Sequence, residues 1–208
     1  MCMVLKRLTD VSRERILADP KEITLCFDLP DRVPFSFGKF FLRLLGLKKK
    51  AEPKPDEHPP ERDPCFDEPE FDIDKSWDVL CFLFCGATYA MLPDEKSFPE
   101  NFLFPSVHRT VDMTAPFYYG APWIYSSQEV KEIAGFLDTQ TEEQLRAKFT
   151  PAMMKEVEPY PSVWDNYEDN DSPEWEREWS YFFGFFPELK EFVQKTADRD
   201  LALLLYLM

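Results

Sequence analysis

Leu201-Ala202-Leu203-Leu204-Leu205-Tyr206-Leu207 contains no charged residue and no polar alternation. Such a near-continuous apolar run suits a strand with no wet face. The segment therefore reads as a central β-strand covered on both faces. Met3 to Leu8, at the other end of the chain, reads as a second short strand. Strands at both termini with helices between them predict an α+β fold: a small mixed sheet containing the N- and C-terminal strands, packed against several helices.

The helices announce themselves through their start signals. Ser126 and Glu129 have capping-box spacing, and Val130, Ile133, Ala134 and Leu137 then share one face. Thr141 and Gln144 repeat the box, Thr150-Pro151 places a cap before a first-turn proline, and Ser172-Pro173-Glu174 does so again. After that last signal Trp175, Trp179, Phe182, Phe183 and Phe186 line one side, and Pro187 is expected to open a separate helix carrying Leu189, Phe192 and Val193. Asp74 is expected to cap a helix whose Trp77, Leu80, Cys81 and Phe84 recur at helical spacing, with Gly86 as its stop. Asp10 is expected to cap a short helix ending before Asp19-Pro20, with Val11, Ile16 and Leu17 apolar. Further expectations are short strands at Ile23 to Phe27 and Phe102 to Phe104, and a helix over Phe37 to Leu47.

The 208 residues fit a single domain with an insertion near residues 48–70, where Lys, Glu, Asp and Pro dominate and an exposed loop is expected. With 44% hydrophobic residues and 20 Phe, the chain can bury a full core. The formal charge of -15 argues against nucleic acid and anionic membrane as partners and favours a basic protein, whose encounter rate would fall with salt. The five cysteines, Cys2, Cys26, Cys65, Cys81 and Cys85, are odd in number in a long chain, unlike a disulfide-stapled secreted domain. The opening residues become charged too soon for a signal peptide, and no stretch approaches the roughly 20 apolar residues of a spanning helix. A reducing cytoplasm is expected.

Three stretches resemble the YfbM-like family, a group of bacterial domains of unknown function. They are Ile73-Asp74-Lys75-Ser76-Trp77-Asp78-Val79-Leu80 followed by Gly86; the run from Ser127-Gln128-Glu129-Val130 through Glu142-Glu143-Gln144-Leu145-Arg146 and Phe149 to Tyr160-Pro161-Ser162-Val163-Trp164; and Leu203-Leu204-Leu205-Tyr206-Leu207. The likeness covers most of the chain outside residues 20–70. The chain departs from the family pattern at Gly120-Ala121-Pro122-Trp123, which lacks the family's Arg, and at Cys81, where relatives often carry His. The family brings no established activity; some relatives sit beside bacterial toxins.

Chemistry-bearing motifs are few. His58 and His108 are far apart, no nucleophile elbow or phosphate loop is present, and Cys81 and Cys85, although i and i+4, read as core cysteines. No catalytic residue, metal ligand or cofactor is assigned. Asp74, Lys75, Trp77 and Asp78 admit a structural reading, a cap and a core Trp with a Lys75–Asp78 surface pair, and a functional one, a pocket using Trp77 and Asp78; capping needs just these residue types, so the structural reading leads. Lys48-Lys49-Lys50 after Phe40 to Leu47 reads as a solvated run behind a core helix.

The segment from Glu156 to Glu178 holds nine carboxylates against one basic residue, Arg177, interleaved with Tyr160, Trp164 and Tyr167. Aromatic anchors among charges are what tight interfaces use. Trp164, Asp165, Tyr167, Glu168, Asp169, Asp171 and Glu174 are therefore expected to form a partner-binding surface. The sharpest form of that expectation is a non-enzymatic immunity protein whose acidic surface blocks a toxin catalytic domain. The alternatives are a small enzyme of unrecognised chemistry and a regulatory or structural partner.

Overall fold

Successive side chains of a strand point to opposite faces, so a strand apolar at every position needs cover on both sides. The computed structural model describes residues 1–26, 62–91, 97–105, 110–111 and 118–208, and it provides that cover. Four strands, β1 (Met3–Leu8), β2 (Phe71–Asp72), β3 (Trp123–Tyr125) and β4 (Ala202–Leu207), form one sheet in the order β2-β1-β4-β3. The two terminal strands are its centre, paired from Met3 opposite Leu207 to Leu8 opposite Ala202. Among the described residues every pairing is antiparallel, so the expected mixed sheet is corrected to an antiparallel one.

Six α-helices occupy the described residues: α1 (Asp10–Ala18), α2 (Ser76–Cys85), α3 (Ser127–Thr139), α4 (Glu142–Lys148), α5 (Pro151–Val157) and α6 (Pro173–Asp198). One sheet face, through Met3, Leu5, Leu203, Leu205 and Leu207, joins a large core with α2, α3 and α6. The other face, through Val4, Leu8, Ala202, Leu204 and Tyr206, packs with Ile16, Ile23, Val111 and Ile124. Lys6 and Arg7 are buried in β1 because each finds partners. Lys6 Nζ reaches the Phe66 carbonyl at 3.1 Å and Glu70 at 3.3 Å. Arg7 donates to Thr196 Oγ1 at 3.0 Å and stacks its guanidinium 4.0 Å from the Phe192 ring centre.

The start signals act as expected at Ser126, Thr141, Thr150 and Ser172, each of whose side chains accepts a first-turn N–H. Gly86 ends α2 at φ 77, the left-handed conformation that favours glycine. Several expectations are corrected. Thr9, not Asp10, caps α1; Asp10 is its first residue and instead receives the Ser127 N–H at 3.1 Å and hydroxyl at 2.5 Å, tying α1 to α3. Only Ile16 of the three apolar α1 residues turns inward, because Val11 and Leu17 lie on other faces of the helix.

Pro20–Cys26 is a 3-10 helix rather than a strand, with Ile23 buried beneath the sheet. Residues 102–104 form a turn whose Phe102 carbonyl accepts the Tyr125 hydroxyl at 2.6 Å, and the strand lies at Trp123–Tyr125 instead. Pro187 lies inside α6 and does not start a new helix. An internal proline costs about 3 kcal/mol. Yet Trp175, Trp179, Phe182, Phe186, Leu189 and Val193 bury one unbroken stripe across it, and each such side chain is worth about 1.5–3 kcal/mol.

The end of the charged insertion, residues 62–70, is folded onto the domain rather than left as an exposed loop. Buried Asp63 accepts the Thr9 N–H at 2.9 Å and the Cys65 N–H at 2.7 Å, and Glu68 accepts two bonds from Arg199 at 2.7 and 2.5 Å. Residues 48–61 and the expected helix over Phe37 to Leu47 lie outside the described residues, as do His58 and His108.

The cross-strand register makes a graded prediction. Leu205 faces Leu5 inside the large core, whereas Leu204 faces Lys6. A buried charge without a partner costs several kcal/mol, comparable to a domain's whole margin. Leu205→Asp is expected to abolish cooperative melting, while Leu204→Asp, with an ammonium directly across the ladder, is expected to melt cooperatively at a lower temperature. Equal melting temperatures for the two variants would contradict this register.

Candidate functional site

The Asp-Lys-Ser-Trp-Asp string at 74–78 is where distant parts of the chain meet. Asp74 is not a cap: Lys75 occupies that position and makes no side-chain bond there. Asp74 has φ 47 and stands just before the helix, and its two oxygens accept the Cys2 thiol at 2.9 Å and the Tyr181 hydroxyl at 2.6 Å. Those two bonds hold its carboxyl below the usual range. Trp77 donates its indole N–H to the Met1 carbonyl at 3.4 Å and stacks against Phe104 and Tyr160.

Asp78 is fully buried, so it forms no surface pair with Lys75. One carboxylate oxygen accepts the Tyr89 N–H at 2.7 Å and the other the Tyr160 N–H at 2.8 Å. Its full burial also keeps it from facing solvent as a pocket residue would, and each oxygen is tied to backbone. Asp78 instead clamps the turn after α2 to the loop after α5. It lies in the first turn of α2, where the helix dipole favours its charge. Burial nevertheless outweighs the two backbone bonds and pushes its pKa up to about 6.

The acidic stretch divides between surface and interior. Trp164 is only 2% exposed; its indole N–H meets the Pro159 carbonyl at 2.6 Å, and its ring packs against Phe149, Trp175 and Phe182. It is a core residue and cannot be the anchor of an interface. Tyr167 is half-buried, with its ring on Trp175 and its hydroxyl donating to Glu178 at 2.5 Å, a bond that raises its pKa to about 12. Asp165, Glu168, Asp169, Asp171 and Glu174 are exposed. They are carried by the loop that follows Trp164 and by the first turn of α6, where Ser172 caps the Trp175 N–H at 3.1 Å. Glu174 pairs with Arg177 at 2.8 Å, and Asp169 accepts the Asp171 N–H at 2.9 Å.

Sequence reasoning missed Cys2, Tyr89, Tyr160 and Tyr181 as partners of the 74–78 motif. Cys2, Tyr160 and Tyr181 lie 72, 82 and 107 positions from the carboxylates they bind, and no local spacing encodes such pairings. Among the described residues no group of three or more His, Cys, Asp or Glu gathers in metal-binding geometry. Nor is any helix among them long and apolar enough to cross a membrane.

The architecture and the use of its motif define the class: an α+β domain built on an antiparallel sheet, whose Asp-Lys-Ser-Trp-Asp string organises the fold. The chain belongs to the family described as Domain of unknown function (DUF1877), whose model matches residues 1–206. No curated protein matches it. A solved structure of a protein of unknown function, YfbM from Escherichia coli, is similar at 16% identity and a TM-score of 0.59, covering 99% of this chain and 98% of that one. At that identity the likeness speaks for the fold.

The Asp78 clamp predicts a pH dependence. An unfolded Asp titrates near 3.9, so a folded pKa of about 6 means that the folded state holds the extra proton between those values. This contribution to stability is fully present below about 4 and is lost as pH rises through 6. Asp78→Asn cannot titrate and leaves one backbone N–H facing an amide donor. Wild type should therefore exceed Asp78→Asn in stability at every pH. The gap should widen on acidification from pH 7.5 to 4.5, by on the order of 2 kcal/mol. Urea unfolding of both proteins across that range measures it, and a constant gap would refute the assignment.

Proposed function

We propose that this chain is a non-enzymatic binding protein that engages a basic protein partner through the acidic face around Asp165 to Glu174, and that the partner is a toxin catalytic domain which it neutralises. The observation that carries this reading is the state of the surface charges. Asp165, Glu168, Asp169 and Asp171 are exposed, and among the described residues none of them belongs to an ion pair, whereas the neighbouring Glu174 and Glu176 pair with Arg177 and Arg146. Clustered carboxylates without cations repel one another, and the net charge of -15 adds to that field. A cationic surface relieves the repulsion and gains charge-assisted hydrogen bonds. A cleft built to hold phosphate oxygens offers such a surface, and the carboxylates would occupy the phosphate positions. The loop that carries them is fixed from below by Trp164 and from behind by the cap of α6, the setting in which loops serve recognition. Apolar contact at this face falls to Val163, 39% exposed, and to the rim of Tyr167.

The test is affinity capture from cells, followed by binding kinetics on the captured protein at low and high salt and by protection of cells against it as a toxin. Neutralising Asp165, Glu168, Asp169 and Asp171 together to the matching amides is expected to slow association about tenfold or more and to flatten its salt dependence, with little change in dissociation. Trp164→Ala is expected to act differently, lowering stability by about 3–5 kcal/mol through the core. Unchanged kinetics and full protection in the fourfold variant would reduce the acidic stretch to a solvated face.

A further inference from the structure

The last turn of α2 brings two thiols together. Cys81 and Cys85 are i and i+4 on the helix, and their sulfurs stand 3.8 Å apart. Cys81 is fully buried, whereas Cys85 is half-buried and opens into a cavity of about 500 Å³ between the end of α2 and helices α4 and α5. The cavity wall is formed by Phe82, Phe84, Cys85, Gly86, Lys148 and Met153, with Ala147 beside them. Lys148 also fastens the wall to α2 by donating to the Leu83 carbonyl at 2.5 Å.

This geometry does not suit a disulfide. Side chains at i and i+4 on a helix keep their Cβ atoms about 5–6 Å apart, whereas a disulfide needs about 3.5–4.5 Å. Closing the bond would unwind the last turn. The same geometry suits a single ion held between the sulfurs. At a metal–sulfur length of about 2.3 Å, the observed separation of 3.8 Å subtends about 110° at the ion, close to the angles of three- and four-coordinate sites.

We propose that Cys81 and Cys85 form a bidentate thiolate site for one soft monovalent cation of the copper(I) class, with the Met153 thioether on the cavity wall as a third sulfur donor. The donor set selects the metal. Apart from the Lys148 ammonium the wall offers sulfur and hydrocarbon and no imidazole or carboxylate, and a neutral thioether beside thiolates favours soft copper(I) over harder cations. Charge agrees. Two thiolates and one monovalent cation leave one negative charge, and the Lys148 ammonium in the same wall offsets it.

Loading forms two sulfur–copper bonds, releases two protons to solvent and changes no oxidation state. Both thiols give up a proton to bind the metal, so affinity should rise with pH. The site is independent of the acidic face, and partner binding should not respond to its loss.

The experiment uses the full, reduced chain without oxygen, titrated with copper(I) in competition with a chromogenic copper(I) chelator. The variant lacking the other thiols, C2S/C26S/C65S, is expected to withdraw one equivalent of copper(I), with sulfur neighbours at about 2.3 Å by X-ray absorption. Adding Cys81→Ala or Cys85→Ser should remove that equivalent, and Met153→Leu, at a partly exposed position, should weaken it about tenfold. Thermal melting guards against misfolding: copper(I) should raise the Tm of C2S/C26S/C65S and leave that of its Cys85→Ser derivative unchanged. Failure of C2S/C26S/C65S to compete for copper(I), retention of the equivalent without Cys81 and Cys85, or equally tight zinc binding would each overturn the proposal.

Discussion

A carboxylate taken wholly out of water and held by two backbone N–H groups is a demanding element, and this fold is arranged around one. Asp78 gains the helix dipole and two short hydrogen bonds and loses its hydration. Those bonds connect two segments far apart in the sequence, the turn at Tyr89 and the loop at Tyr160. Trp77, one residue earlier, lies beneath both tyrosines and Phe104, so the same helical turn supplies the polar clamp and the apolar floor. Asp74 extends the arrangement to the N-terminus through Cys2 and to α6 through Tyr181. Removing this hub would leave the sheet and the helices without a fixed relation at that end of the molecule.

The sheet imposes a second constraint. With the two terminal strands at its centre, both faces must be covered, and the chain meets this with cores of unequal size. Lys6 and Arg7 show how a central strand can carry charge. Each charged head lies over an aromatic ring and finds a carboxylate from residues 68–70, so the segment after the insertion acts as the counter-charge for β1. That use of Glu68 and Glu70 explains why residues 62–70 pack against the domain despite a loop-like composition.

The charge left over after such pairing is what gives one face its character. Carboxylates at 68, 70, 74 and 78 are consumed by the fold, and those at 165–171 are not. A net charge of -15 is therefore not spread evenly in its consequences. Some acids are held within the fold by ion pairs or hydrogen bonds, and the remainder set the field that a partner would meet.

Local order was legible in the residues themselves. The capping boxes at Ser126 and Thr141, the proline starts at 151 and 173, the glycine stop at 86 and the two terminal strands depend on neighbours within a few positions, so their physics is written in short spacings. The exposed carboxylates of the candidate surface were legible for the same reason, since a charge run with no nearby base stays in solvent. Direction and depth were not. Trp164 reads as an aromatic among charges, and only the packing of α5 and α6 around it makes it a core side chain. Pro187 reads as a helix start, and only a stripe buried against α2 and α3 carries the helix through it. Asp78 reads as a surface acid. Its burial follows from contacts made 11 and 82 residues away, and loops brought together by the collapse of the whole chain decide what its carboxylate does.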